Sequence, residues 1–325
     1  MKLNSLKKME SDFIKNVLVL GTGNMGPGIA LVFISANYQV TLWGPSEKSL
    51  IKGSDNFRRN VDDLMRDDLL TSSQADDYCS RLNLAGNLEA IAKDSHFIVE
   101  AISEQLEIKQ NLFAKLEEST SPETIFASNT STLLPSELNI KMKHKERLVV
   151  AHFWNPAYLA PLVEVCGSDL TSRDVIDATM ELLKKTGNEP VLMRKEIHGF
   201  IGNRIMHAMN RESLALIGNG VCDPEDIDKV VLSSFGPRFA NLGPMEYLDF
   251  SGLDLIKNIQ GYLYQDLDTT KGVMPVVEKL YSENKLGIKT GQGLFNWSEK
   301  RNMIRKNRDK EFIRRLKGKK DPGRQ

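Results

Sequence analysis

Cysteine is scarce. The chain has only Cys79, Cys166 and Cys222, far apart, with no C-x-x-C pair and no spacing that suits a metal. That excludes a disulfide framework and a cysteine-held metal centre, and makes a reduced, cytoplasmic protein the expectation. No apolar run approaches the roughly 18 residues that cross a bilayer. The opening MKLNSLKKMESDFIKN offers neither an apolar core nor a small-residue cleavage site, so no secretory signal is read in it. Net charge is missing as well, because 43 Lys and Arg balance 43 Asp and Glu. Dedicated nucleic-acid binders carry a basic excess, so the expected partner is a small-molecule substrate rather than nucleic acid or membrane.

What is present is an ordinary globular composition, 41% hydrophobic and 26% charged over 325 residues, enough for two domains. The charge is uneven. Residues 299–325 hold 12 Lys and Arg against 4 Asp and Glu. There Met303, Ile304, Phe312, Ile313 and Leu316 recur at loosely helical spacing, which reads as a solvated terminal helix, with a polyanion-binding tail as the alternative.

Apolar runs of strand length occur at 16–21, 38–43, 97–102, 124–129, 147–154, 162–167 and 189–194. Helical stretches separate several of them, including 105–118 and SRDVIDATMELLKKTG, which opens on capping residues and closes on Gly187. Alternation of this kind predicts an α/β fold with a mostly parallel, doubly wound sheet. After His198 only helical patterns follow. The expected division is a dinucleotide-binding domain over 1–196, with 1–15 as an extension, and an all-helical substrate and dimerisation domain over 197–325 that includes the basic tail.

The first strand runs into GTGNMG, with Gly21, Gly23 and Gly26 in G-x-G-x-x-G register and Asn24 and Met25 completing the loop. The first glycine permits a tight turn, the second lets backbone approach a pyrophosphate, and the third lets helix and strand pack closely. Strand before, helix after and a βαβ setting make this a dinucleotide site. A carboxylate usually ends the next strand, about 20 residues on, and holds the adenosine ribose. Here that position is Gly44. Glu47 from the following turn is one substitute. Ser46 and Lys48 accepting a 2′-phosphate is the other, so NAD is expected and NADP stays open.

The segment AHFWNPAYLAPLVEVCG sets His152 and Glu164 near the ends of two successive strands. A strand–loop–strand return brings such side chains within hydrogen-bonding reach, as an imidazole base and its orienting carboxylate require. Spacing alone equally fits a structural histidine. Trp43, Trp154 and Trp297 read as packing residues, and Cys166 as a buried small hydrophobe.

GTGNMGPGIA, VEAISEQLEIKQNLFAKLEE, FASNTST, HFWNPAYLAPLVEV, GFIGNRI, DPEDIDKVV, GPMEYLDFSGLD and LGIKTGQGLFNW follow one another over residues 16–297. Together they resemble the 3-hydroxyacyl-CoA dehydrogenase family, which includes carnitine and gulonate dehydrogenases. The resemblance implies hydride transfer between a nicotinamide cofactor and C3 of a 3-hydroxyacyl-CoA. It implies His152 as general base, Glu164 as its orienting carboxylate, Ser131 on the substrate oxygen and Asn203 on the substrate and developing oxyanion. It also implies Glu104 and Lys109 along the nicotinamide-ribose side, and Ser128 and Asn129 beneath the cofactor. From sequence alone Glu104 and Lys109 also fit a solvated helix pair. No metal is implied, and a homodimer through the helical domain is, with Gly243–Asp254 a candidate contact. Two features depart from a coenzyme A binder. Arg58, Arg59 and Arg66 are offset by Asp62, Asp63, Asp67 and Asp68, and the signature loop is mixed, Phe153 resembling the acyl-CoA enzymes but AYLAPLVEV the carnitine and gulonate relatives. A free short-chain 3-hydroxy acid is therefore the alternative substrate, and a non-catalytic dinucleotide-binding relative a further alternative.

Overall fold

The computed structural model describes residues 11–297, 304 and 307–320. It divides into a first unit, Met1–Ile201 with Asp309–Gln325, and a second, Gly202–Arg308.

The first unit is built on an eight-stranded sheet in the order β3-β2-β1-β4-β5-β6-β7-β8. The strands are β1 Asn16–Leu20, β2 Gln39–Trp43, β3 Leu82–Ala85, β4 Phe97–Glu100, β5 Ile125–Ser128, β6 Leu148–Phe153, β7 Leu162–Gly167 and β8 Glu189–Leu192. All pairings are parallel except β6 with β7. Helices cover both faces, so the central strands read as continuous aliphatic runs; β4, β5 and β6 are buried at every position. The mostly parallel α/β architecture expected from the alternating pattern is what the chain adopts.

Helices α1 Met25–Ser35, α2 Glu47–Arg66, α3 Ser72–Ser80, α4 Leu88–Ala92, α5 Leu106–Ser119, α6 Pro135–Leu138 and α7 Arg173–Lys185 belong to this unit. α1 is apolar nearly all round and is buried from Gly26 to Ile34, because it lies on β1 and β2 and is itself covered by α2 and α3. α2 is amphipathic instead, turning only Gly53, Phe57, Val61 and Leu64 inward along one stripe. Its start is held by Ser46, whose side chain accepts from Ser49 N, while Ser49 Oγ accepts from Ser46 N. α7 opens on Ser172 accepting from Val175 N, and Gly187 beyond its end takes φ +82°.

Both ends of the first unit differ from the sequence expectation. The segment before β1 is not a bare extension over its described part, since Ile14 is 2% exposed and Asp12 pairs with Lys185 at 2.5 Å. The C-terminal helix Lys310–Lys320 is solvated on most of its face, as expected, but it belongs to the first unit rather than the helical one and packs one stripe inward. Phe312, Ile313 and Leu316 pack on the main core of the first unit, and Lys317 pairs with Asp68 at 3.4 Å. The i, i+1, i+4 spacing of those residues is a narrow apolar stripe, and a stripe needs a partner. Met303 lies outside the described residues.

The second unit is helical: most of α8 Phe200–Gly218, then α9 Pro224–Ser233, α10 Gly236–Phe239, α11 Pro244–Ser251, α12 Leu253–Leu263 and α13 Pro275–Ser282. No residue of α9–α13 is buried, and large apolar side chains stand in water, with Phe250 83% and Tyr262 84% exposed. No described helix is long and apolar enough to cross a membrane.

Candidate active site

A cleft of about 720 Å³ opens at the carboxyl ends of the central strands. Gly21, Gly23, Asn24, Met25, Trp43, Pro45, Glu104, Asn129 and Ser131 are among its lining residues. The glycine loop at its floor is dictated by space. Gly21 has φ +118°, and a Cβ there would lie 2.4 Å from Ala101 O. A Cβ on Gly26 would lie 1.8 Å from Gly21 O, so the helix could not pack down on the turn. Gly23 has nothing within 4 Å and leaves open room above the loop. α1 has Asn24 as its N-cap with no side-chain cap bond, so no capping side chain competes for its first N–H groups. Such a cradle fits a dinucleotide pyrophosphate.

On the β4–β5 side, Glu100 and Lys109 are buried, 0% and 1% exposed, and Lys109 Nζ donates to both Glu100 oxygens at 2.7 and 2.9 Å. Ser128 Oγ donates to Glu100 Oε2 at 2.5 Å and Ile102 N to Oε1 at 2.8 Å. Lys109 Nζ also meets Glu104 Oε2 at 3.0 Å. Glu104 in turn accepts from Thr130 Oγ1, from Ser131 N at 3.1 Å and from Thr132 Oγ1 at 3.2 Å. Burial alone would push the Glu104 carboxyl up; Thr130, the Lys109 ammonium and Ser131 N–H outweigh it and hold the group below the usual carboxylate range. Glu104 and Lys109 are thus a linked pair in which the lysine is buried and the glutamate, 41% exposed, faces the cleft. Glu104 lines the cleft, whereas Lys109 and Ser128 lie behind it.

β6 and β7 supply the second cluster. Antiparallel pairing places His152 directly opposite Glu164, and His152 Nδ1 lies 2.9 Å from Glu164 Oε2. A carboxylate only accepts, so in the neutral imidazole the proton sits on Nδ1 and the lone pair on Nε2. Trp154 Nε1 donates to the same Oε2 at 3.1 Å, and Ile201 N donates to Oε1 at 2.8 Å. The imidazole stands between two aromatic rings, Trp154 at 5.8 Å and Phe200 at 5.5 Å between centroids. Phe200 is fully buried with φ +51°, a left-handed conformation that is costly for a bulky residue and recurs at functional sites. Asn129 joins the two clusters: it lines the cleft while its Oδ1 accepts from Phe153 N at 2.8 Å.

The geometry therefore brings His152 and Glu164 together, and sets Ser131, Asn129 and Glu104 along one cleft. Asn203 falls on α8 in the second unit. Trp43, read as a packing residue, does pack against the core and also lines the cleft, while Trp154 donates to Glu164. Sequence reasoning missed Glu100, Thr130 and Phe200. Only Glu100 left a signal, as a lone carboxylate ending the apolar strand FIVE, where a buried charge demands a partner. Among the described residues no cluster of His, Cys, Asp and Glu could hold a metal ion.

Comparison with known proteins bears on the same regions. Residues 16–197 match the family described as 3-hydroxyacyl-CoA dehydrogenase, NAD binding domain, and residues 199–297 match its C-terminal domain. The chain is 29% identical over 282 residues to 5-formyl-3-hydroxy-2-methylpyridine 4-carboxylate 5-dehydrogenase of Mesorhizobium japonicum, covering 87% of this chain and 90% of that one. It is 31% identical over 293 residues to the mitochondrial hydroxyacyl-coenzyme A dehydrogenase of Sus scrofa, covering 87% and 91%. The crystal structure of a 5-formyl-3-hydroxy-2-methylpyridine 4-carboxylic acid 5-dehydrogenase, described as an NAD+ dependent dismutase, superposes with a TM-score of 0.85 at 27% identity, covering 94% and 99%.

Proposed function

The chain belongs to the 3-hydroxyacyl-CoA dehydrogenase family, and from that premise we propose that it moves a hydride between NAD and C3 of a 3-hydroxyacyl-CoA, with His152 as the general base. The observation that carries this reading is the cross-strand His152–Glu164 pair, joined to the glycine-floored cleft through Asn129. NAD, when bound, supplies the nicotinamide ring that takes the hydride. His152 Nε2 accepts the substrate hydroxyl proton, and Glu164 holds the ring and stabilises the imidazolium; in reverse the imidazolium returns the proton to the alkoxide. Ser131 holds the substrate oxygen, and Glu104 the nicotinamide-ribose side. For Asn203 the proposal rests on the GFIGNR motif.

A second reading, oxidation of a free short-chain 3-hydroxy acid, shares this chemistry and differs at the acyl end. It is favoured by α2, where Arg66 is already paired with Asp63 at 2.8 Å, leaving less cationic surface for coenzyme A phosphates. NADH consumption with acetoacetyl-CoA, acetoacetate and dehydrocarnitine separates the readings. Turnover with the thioester alone supports the first, turnover with a free acid alone the second, and tight NADH binding without turnover of any points to a non-catalytic relative.

Homodimerisation through the second unit belongs to the same proposal. Met245, Phe250 and Leu253, all in the 243–254 stretch, are 67%, 83% and 62% exposed, a cost that a second copy would remove. Sedimentation is expected to give twice the monomer mass, and a clean monomer at micromolar concentration would overturn it.

A further inference from the structure

The end of β2 is bare, and its neighbours keep it so. A Cβ on Gly44 would lie 2.5 Å from Ser49 Oγ, 2.9 Å from Thr22 Cγ2 and 3.3 Å from Leu50 Cδ2. Ser49 Oγ has little freedom to swing away, because it accepts from Ser46 N at 3.0 Å and donates to Ser46 O at 2.6 Å. Thr22 is fixed from the other side, its carbonyl accepting from Asn56 Nδ2 at 3.2 Å. An aspartate at this position would have to displace both the start of α2 and the glycine loop.

The cleft at this end is formed by Trp43 and Pro45, and Trp43 is pinned by its Nε1 donating to Gly86 O at 3.0 Å. Among the described residues Glu104 is the one acidic side chain lining the cleft, and it stands across the sheet with Asn129 and Thr132. Glu47 and Lys48 are exposed on the first turn of α2 and do not line it. A strand-end carboxylate does two things in a dinucleotide fold: it accepts from the ribose hydroxyls and it repels a 2′-phosphate. Among the described residues that line this end of the cleft, neither effect has a source.

We propose that this chain reads the adenosine end of its dinucleotide by shape, against Trp43 and Pro45, and therefore binds NADH and NADPH with comparable affinity. The inference deepens the dinucleotide reading above and concerns binding, so it does not depend on which acyl substrate is used.

Calorimetric titration of the full chain with NADH and with NADPH is the test. Dissociation constants within about tenfold of each other are expected, since one charge-assisted hydrogen bond is typically worth roughly that factor or more. A preference beyond about tenfold for either nucleotide would overturn the proposal. Binding of neither would remove the dinucleotide site itself, and the proposed function with it. Glu47→Gln, a change on an exposed turn, should leave the ratio unaltered; a shift of more than about threefold would identify Glu47 as a discriminating carboxylate and sink the idea. Gly44→Asp combined with Ser49→Ala and Thr22→Ser, which together remove both crowding atoms, should weaken NADPH selectively. Circular dichroism checks that this variant folds, and a folded variant with an unchanged ratio would count against the proposal.

Discussion

Trp154 donates its indole N–H to Glu164 Oε2, the oxygen that also faces His152 Nδ1. The carboxylate oxygen is thereby shared, and the imidazole it orients is fixed from two directions. Trp154→Phe removes the N–H and keeps the ring. With one neutral-to-charged hydrogen bond lost, kcat should fall by about threefold to thirtyfold at nearly constant KM. Steady-state rates with whichever substrate proves active give the answer, and an unaltered kcat would show the bond to be incidental.

Replacing His152 by Gln keeps a polar side chain of similar size in a site that is 6% exposed. Turnover should drop by about 10²–10⁴, the usual contribution of a positioned general base. NADH affinity should hold, because the cradle assigned to the dinucleotide is the glycine loop with Glu104 and Asn129. Loss of binding together with turnover would mean that the histidine is structural.

The Glu100–Lys109 pair is a different kind of dependence. Lys109→Met leaves Glu100 fully buried without its cation, and breaking such a pair costs roughly 3–5 kcal/mol. Urea unfolding should show it as a lower midpoint. Glu104, partly exposed, bears on pH instead. Its carboxyl is held below its unfolded value, so its contribution to stability is complete above the ordinary carboxylate range and is lost as pH falls through the lowered value. Thr130→Val and Lys109→Met should each blunt that acid-side loss, measured as unfolding midpoint against pH.

How far the sequence reached depended on the range of the forces involved. Seven of the strands announce themselves as aliphatic runs, because a parallel sheet covered on both faces must be apolar throughout. β3, LNLA at the sheet edge, alternates weakly and was not anticipated. His152 and Glu164 were legible as a pair since two adjacent antiparallel strands bring them together. Lys109 behind the cleft, Trp154 on Glu164 and the strained Phe200 were not. Their partners lie only nine and ten residues away for the first two, but which way each side chain turns, and the backbone angle at Phe200, leave no record in spacing. The bare Gly44 was legible as an absence; the reason for it, Ser49 and Thr22 crowding the missing Cβ, is tertiary.

Cys166 offers a check on the core. It sits in β7, fully buried, and burial, with a smaller push from Glu196, raises its thiol to about 12. A thiol so placed has almost no thiolate at neutral pH and no access to reagent. Alkylation of the native protein followed by peptide mapping should leave Cys166 unmodified, and unfolding should expose it. Labelling at the native rate of the half-exposed Cys79 would mean that β7 opens readily.

The C-terminal helix gives the most direct test of where the chain's end belongs. Phe312, Ile313 and Leu316 are half-buried on the first unit's core, and Leu316 lines a second cavity there beside Leu64, Leu69 and Tyr158. Partial burial of one large aliphatic or aromatic side chain contributes about 1–2 kcal/mol. Phe312→Ala with Leu316→Ala should therefore lower stability by about 2–4 kcal/mol. Arg314→Ala and Arg315→Ala, whose partner Glu311 lies on the same exposed face, should cost under about 1 kcal/mol. The reverse order of effects would restore the solvated, charge-driven tail that the composition of residues 299–325 suggests.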